Sequence, residues 1–408
     1  MRETRFLFLH AGEFDPTVLD SQVVDSIVAV AEHGIRFDMA VLMHGGPYLR
    51  KFAYNRQRQR EVAERIGGSV RVYLTPRKTD RVGDTIGAWQ LAFELARGRA
   101  QRTVIHARGD TAGFYASRVR KGRNSVRAIY DARGDVEAEA RHFAEQTGMP
   151  PARLAPQLAA IQRHRAAAVA GADHLLCVST ALRDLLISRH DADPARFSVV
   201  ACLADEKKFH LDEAERVRTR RALGWDDRFV VIFPGRFGRW HQGPEMTAVV
   251  AGLMQSQPDV FFQILTPDVE EARRIAVAAL PEGRYDVRSV THAEVAPHLR
   301  AADLGLLLRE AHPLNAVACP TKFAEYMMSG LPVLISPGIG DCSVFVAAQD
   351  AGVVLANLDP GTAAAALTRL RSEPAAARRE RIAQAAAGFS RQRAAREMAA
   401  LYRRLADD

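Results

Sequence analysis

Lys322 and Glu325 stand three residues apart in Pro320-Thr321-Lys322-Phe323-Ala324-Glu325-Tyr326, so a helix there carries a cation and a carboxylate on one face. Residues 304–308 before it form an apolar run that stops at charge, the pattern of a buried parallel strand. Thr321 is placed to cap the helix, Gly330 to end it, and Pro332-Val333-Leu334-Ile335 to resume a strand. A helix starting behind a strand's carboxyl end aims free N–H groups and a positive dipole end at one spot, where open α/β sheets take anions. A lysine and an acid beside that spot suit a diphosphate joined to a ribose. The same spacing also fits an ion pair on a solvent-facing helix.

The elements that must hold these residues alternate along the chain. In the first half, strands are expected at 5–10, 37–43, 70–74, 103–107, 126–131, 174–178 and 197–201. Between them the sequence places a helix from Asp15 through Pro16 to a stop at Gly34, a basic helix from about Leu49, and helices at 86–96 and 111–120. An acidic helix from Val136, an amphipathic stretch at 152–170 and a helix capped by Ser179 follow. After a polar linker at 205–215 with a short helix at 213–223, strands recur at 229–233, 260–265, 285–290 and 304–308, with helices at 244–254, 270–279 and 293–301. Residues 364–408 read as Ala- and Arg-rich helix throughout, long enough to cross back onto the first domain. Such alternation implies two doubly wound parallel sheets with a ligand cleft between their strand carboxyl ends. The expected limits are 1–201 and 202–385 for the two domains and 386–408 for the returning helix.

At 408 residues the chain exceeds the roughly 250–300 residues at which one core stops growing, so two domains agree with its length. Hydrophobic content of 48% and charged content of 25% are those of a soluble globular protein. No apolar run reaches the ~18 residues of a membrane span, and the start MRETRFLFLHAG lacks a signal peptide's features. The four cysteines, Cys177, Cys202, Cys319 and Cys342, are scattered without a CxxC pair, which suggests neither a zinc site nor a disulfide framework and fits a cytosolic protein. No GxGxxG follows a strand and no GxxxxGK[ST] occurs, which argues against nicotinamide and P-loop chemistry.

The net charge of +8 is uneven: residues 1–200 hold 30 Lys and Arg against 22 Asp and Glu, and the remainder 26 of each. Two clusters dominate, one of Arg50, Lys51, Arg56, Arg58, Arg60 and Arg65, the other of Arg118, Arg120, Lys121, Arg123 and Arg127. Such a face favours an anionic partner, a membrane leaflet, a lipid diphosphate or nucleic acid, though a solvated face has the same composition. Aromatic residues are not interleaved with these runs, and no motif for reading nucleic acid is present.

With the two-domain plan and the 304–337 block in hand, the chain resembles a GT-B-fold glycosyltransferase, similar to glycosyltransferase family 4. The resemblance rests on Asp303-Leu304-Gly305-Leu306, on the block from Pro320 to Tyr326, and on Gly330-Leu331-Pro332-Val333 and Gly340-Asp341. Thr291-His292-Ala293-Glu294-Val295 matches the segment preceding the donor block, and Pro234-Gly235-Arg236-Phe237-Gly238-Arg239-Trp240-His241 the phosphate loop after the first donor-domain strand. Ile105-His106-Ala107-Arg108-Gly109 and Tyr130-Asp131-Ala132-Arg133-Gly134 match acceptor-side patterns.

That resemblance implies a GT-B architecture of two Rossmann-like domains facing a cleft, and a retaining, metal-independent transfer of a sugar from a UDP- or GDP-sugar to a glycan or lipid-linked acceptor. It implies that Glu325 accepts from the ribose hydroxyls, and that Thr321, Lys322, Pro320 and the Gly235 loop hold the diphosphate with Arg236 or Arg239, His241 lying nearby. The family often has a second glutamate eight positions before Glu325, where this chain has Val317; Asn315 or Glu310 are the candidates to replace it. His106 and Arg108 are the acceptor-side catalytic candidates, although family members often show His-x-His, and Asp131 and Arg133 the acceptor-loop ones. No group of Asp, His or Cys at ligand spacing argues for a metal. The expected place is the cytoplasm, peripheral at the inner membrane face through the basic half. A non-catalytic relative that binds a nucleotide sugar or a protein, and a nucleotide-sugar epimerase of the same fold, are the alternatives.

Overall fold

The computed structural model describes residues 4–15, 19–76, 81–98, 100–237 and 242–408. The chain divides into two units, Met1–Ala201 with Gln392–Asp408, and Cys202–Arg391. The first is built on β1 (Thr4–Ala11), β2 (Phe37–His44), β3 (Val70–Thr75), β4 (Arg102–Arg108), β5 (Val126–Ala132), β6 (His174–Cys177) and β7 (Phe197–Val199), side by side in the order β3-β2-β1-β4-β5-β6-β7. The second is built on β8 (Phe229–Pro234), β9 (Val260–Leu265), β10 (Tyr285–Arg288), β11 (Leu304–Leu307), β12 (Val333–Ile335) and β13 (Gly352–Val354), in the order β10-β9-β8-β11-β12-β13. Neighbouring strands run parallel in both sheets. Helices cover both faces, so β9 and β11 are buried along their whole length, which is why they read as continuous apolar runs. In each unit strand order reverses beside the first strand, between β1 and β4 and between β8 and β11. Such a reversal splays the connections apart and leaves a crevice at the strand carboxyl ends.

In the second unit the helix Thr321–Met328 is pressed onto the sheet beside β11. Gly305 permits this, since a Cβ there would stand 2.9 Å from the ring of Tyr326. The Tyr326 hydroxyl donates to the Leu306 carbonyl at 3.0 Å. Phe323, Ala324, Tyr326 and Met327 face the core, which leaves Lys322 and Glu325 together on the open face. Gly330, at φ 65°, ends the segment where a side chain would meet the Arg379 carbonyl at 2.7 Å.

The first unit closes its core with the far end of the chain. Ala395, Ala399, Leu401, Tyr402 and Leu405, from the helix Arg391–Asp407, join Phe8, Phe37 and Ile129 in one cluster. No helix of the described residues is long and apolar enough to cross a membrane.

Several elements differ from expectation. Residues 364–408 are not one helix: Pro360–Arg371, Ala375–Ala385 and Arg391–Asp407 are separated by a break before Pro374 and a 3-10 turn at Ala386–Phe389. Proline cannot continue the first of these, and Ile382 and Ala386 belong to the core of the second unit, which therefore runs to Arg391, past the expected limit at 385. The first expected helix contains a π-helical turn, Asp20–Val24, ahead of Asp25–Ala31, and Pro16 lies outside the described residues. The basic helix is two, Gly45–Arg50 and Phe52–Ile66, bent at Lys51.

Candidate functional site

The carboxyl ends of β8 and β11 and the start of the helix Thr321–Met328 converge in the second unit. That helix begins directly after Pro320, and no side chain caps it; Thr321 is its first residue and not the expected cap. The Phe323 N–H donates to the Pro320 carbonyl at 3.0 Å, while the N–H groups ahead of it have no acceptor within the helix, as at any uncapped helix start. Lys322 lies over the Phe233 ring, its Nζ 3.9 Å from the centroid. Gly235 follows β8 at φ 135°, and a Cβ on it would stand 2.8 Å from Lys322 Nζ, so the loop backbone and the ammonium are neighbours.

A second cation, absent from the motifs, completes the cradle. Arg309 follows β11, where its guanidinium donates to Asn315 Oδ1 at 2.9 Å and its backbone N–H to Ser336 Oγ at 2.9 Å. It has no carboxylate partner among the described residues. Asn315 is itself buried and donates to the Glu310 carbonyl at 3.1 Å, so it holds the Arg309 loop in place. The signal for Arg309 is in the sequence, as the first charge after the 304–308 run, next to Glu310, which is exposed. Val317 is buried in the unit's interior.

Burial pushes the Lys322 ammonium down to about 7; the like charge of Arg309 adds to this and Glu325 partly opposes it. Burial likewise pushes Glu325 up to about 7, against the pull of Lys322 and Arg391. Neither side chain makes a hydrogen bond or ion pair among the described residues. Two cations and a helix start against one carboxylate leave a positive excess. Taking a charge out of water costs several kcal/mol unless a partner is supplied, so the arrangement is suited to an anion. Burial also depresses Arg309.

The remaining donor-side candidates are less central. Arg236 is 68% exposed and pairs with Asp268 at 3.1 Å. Arg239 and His241 lie outside the described residues. The scattered cysteines are brought together in part: the Cys202 N–H donates to Cys319 Sγ at 3.2 Å, just before Pro320. The Cys319 thiol is pushed up to about 12 by Cys342 and by burial, although Cys202 works the other way.

In the first unit, His106 is a core residue and does not open toward an acceptor. It is 2% exposed, stacked on Phe8 at 4.6 Å, with Nδ1 2.8 Å from the Tyr402 hydroxyl and Nε2 3.3 Å from Asp131 Oδ2. Tyr402 lies near the end of the chain, which no local pattern around His106 could reveal. Arg108 and Arg133 flank Asp131, each at 3.4 Å, and both donate to Gln22 Oε1, at 2.6 and 3.2 Å. Burial alone would raise the Asp131 carboxyl, but Arg133, His106 and Arg108 hold it well below the usual carboxylate range. This cluster sits at the carboxyl ends of β4 and β5, beside the strand-order reversal.

No family model matches the chain. Two curated relatives are D-inositol 3-phosphate glycosyltransferases, from Thermomonospora curvata at 28% identity over 226 residues and from Rhodococcus opacus at 29% over 238 residues. The matches cover 50% and 54% of this chain, which spans about half the length of each of these relatives. Among solved structures, Anabaena HepE in complex with UDP superposes with a TM-score of 0.72 at 14% identity, covering 98% of this chain and 99% of that one. WaaG, a glycosyltransferase involved in lipopolysaccharide biosynthesis, superposes with a TM-score of 0.62 at 16% identity, covering 96% and 99%. At such identities the likeness speaks for the fold: the chain has the GT-B fold, two Rossmann-like units on parallel sheets.

Proposed function

We propose that this protein is a glycosyltransferase, similar to family 4, that takes a sugar from a nucleotide diphosphate sugar. The observation that carries the reading is the pair Lys322 and Arg309, two cations without a carboxylate partner within hydrogen-bond reach among the described residues, set at the start of the helix Thr321–Met328. When the glycosidic bond to the diphosphate breaks, negative charge grows on the leaving oxygens. Fixed cations and N–H dipoles in a water-poor site stabilise that charge without reorganising. Glu325, one helical turn further on, is positioned to accept from ribose hydroxyls. Because Lys322 and Arg309 supply the positive charge, turnover is expected to be insensitive to chelation of divalent metals.

The acceptor reading rests on Arg108 and Arg133. Two guanidiniums flank Asp131 at strand carboxyl ends, and guanidinium groups in that place suit an acceptor bearing phosphate or carboxylate on a glycan, polyol or lipid-linked sugar. By their names, the two curated relatives act on a phosphorylated polyol. Retention at the anomeric carbon is part of the proposal and is read by NMR of the product.

Release of nucleotide diphosphate from UDP- and GDP-sugars, with and without candidate acceptors, tests the whole. Lys322→Ala is expected to lower turnover at least a hundredfold, about the scale of losing one charge-stabilising group. Specific binding of the sugar nucleotide with no turnover under any acceptor would favour a binding protein, and an isomerised sugar released without acceptor would favour an epimerase.

A further inference from the structure

The arginines of the first unit fall into two kinds. On the helix Phe52–Ile66, Arg58 pairs with Asp20 at 2.5 Å and Glu61 at 2.6 Å, and Arg65 pairs with Asp25 at 2.6 Å. In the second basic cluster, Arg120 pairs with Asp173 at 2.6 Å, Arg123 donates to the Val119 carbonyl, and Arg127 to the Asn124 and Asp408 carbonyls. These cations are consumed within the fold. Arg50, Lys51, Arg56 and Arg60 of the first cluster, like Arg118 and Lys121 of the second, are exposed and make no ion pair among the described residues.

The four of the first cluster surround an elbow with an apolar tip. Where the helix Gly45–Arg50 meets the helix Phe52–Ile66, residues 49–54 are all exposed. Among them Leu49 is 65%, Phe52 52% and Tyr54 42% exposed. The buried Tyr48 holds the Phe52 ring edge-on at 5.8 Å, which orders the outward ring. Phe52, Arg56 and Arg60 follow at helical spacing, so the apolar tip continues into a stripe of positive charge.

We propose that this elbow docks on an anionic lipid bilayer, Leu49 and Phe52 entering the headgroup layer while Arg50, Lys51, Arg56 and Arg60 meet lipid phosphates. The mixture decides the partner. Cations alone would serve a nucleic acid or a free phosphate equally, but neither gives an aliphatic side chain such as Leu49 anything to enter. A bilayer interface accepts both kinds of group at adjacent depths. Docking is independent of sugar transfer and is measured without donor or acceptor.

The test is cosedimentation of the whole protein with vesicles of phosphatidylcholine alone or mixed with phosphatidylglycerol. Binding only to the mixed vesicles is expected. Arg50→Glu with Lys51→Glu is expected to weaken it at least tenfold, about the scale of removing two surface cations and adding two anions. Leu49→Ser with Phe52→Ser should weaken it further at about 1 M salt, where the screening length falls to about 3 Å and little but apolar insertion remains. Arg118→Glu with Lys121→Glu, the same change of charge elsewhere on the unit, should leave binding within about twofold. All these side chains are on the surface, and an unchanged melting temperature shows that the variants fold. Equal retention on neutral vesicles, equal loss from both charge-reversed pairs, or displacement from mixed vesicles by duplex DNA or by millimolar inorganic phosphate would overturn the proposal.

Discussion

Lys322 is held near its own titration point. Burial and the neighbouring Arg309 both disfavour its charge, and Glu325 restores part of it, so the ammonium loses its proton near pH 7, well below the ordinary lysine value of 10.5. A bound diphosphate stabilises the charged form and raises that value, so the Lys322 contribution to affinity is full below about 7 and falls as pH rises through it. A tenfold change in a proton's binding constant corresponds to about 1.4 kcal/mol, which sets the steepest decline at about tenfold per pH unit. Glu325, raised to about 7 by burial, governs the acid side, and the two protons leave as a coupled pair. Titrating an intact nucleotide sugar, whose diphosphate has no proton to lose in this range, isolates the protein's contribution. Calorimetry should show affinity dropping between about pH 7 and 9, and Lys322→Arg should flatten the drop. A wild-type profile level across that window would remove Lys322 from the phosphate site. The spacing of Lys322 and Glu325 was readable because a helix makes three-apart residues neighbours. Arg309 showed only as the first charge after an apolar run, and its role was not readable, since its place depends on Asn315 and Ser336, which folding brings to it.

Two glycines of the second unit's sheet test how the site and its scaffold separate. Gly235 follows β8 at φ 135°, a backbone geometry that side chains rarely adopt, and its missing Cβ makes room for Lys322 Nζ. Gly305 lies within β11, and its missing Cβ makes room for the buried ring of Tyr326. Alanine at Gly235 meets the mobile end of a side chain, so Lys322 moves aside and the fold survives. Strain there costs on the order of 1–3 kcal/mol, and the expected loss is in donor affinity, about tenfold or more. Alanine at Gly305 meets a packed ring and is expected to lower the melting temperature of this unit through overpacking, about 1–3 kcal/mol. Equal effects of the two on stability, with none on donor binding, would show that the loop after β8 is scaffold only. The strands carrying these glycines were legible as apolar runs between charges. The breaks within residues 364–408 were not, because Ala and Arg sustain helix propensity across the turn at Ala386–Phe389, and only the burial of Ile382 and Ala386 decides where the chain turns.

Across the whole molecule, the helix Arg391–Asp407 belongs to the first unit although the second unit precedes it in sequence. Its contribution can be bounded. Leu401, Tyr402 and Leu405 are each less than a tenth exposed, and burying such side chains yields about 1.5–3 kcal/mol apiece. Together they amount to roughly 5–9 kcal/mol, comparable with the ~5–15 kcal/mol that holds an ordinary domain. The Tyr402 hydroxyl adds one hydrogen bond to His106, worth about 1 kcal/mol. Deleting residues 392–408 is therefore expected to unfold the first unit while Cys202–Arg391 keeps its sheet and its affinity for a nucleotide diphosphate. Calorimetric scans should show the first unit's transition lost or shifted far down, and the surviving one still raised by the nucleotide. Tyr402→Phe, which removes only the hydroxyl, should lower the first unit's stability by about 1 kcal/mol and leave donor affinity unchanged. If the deletion leaves both transitions where they were, the returning helix is an accessory and the first core closes without it.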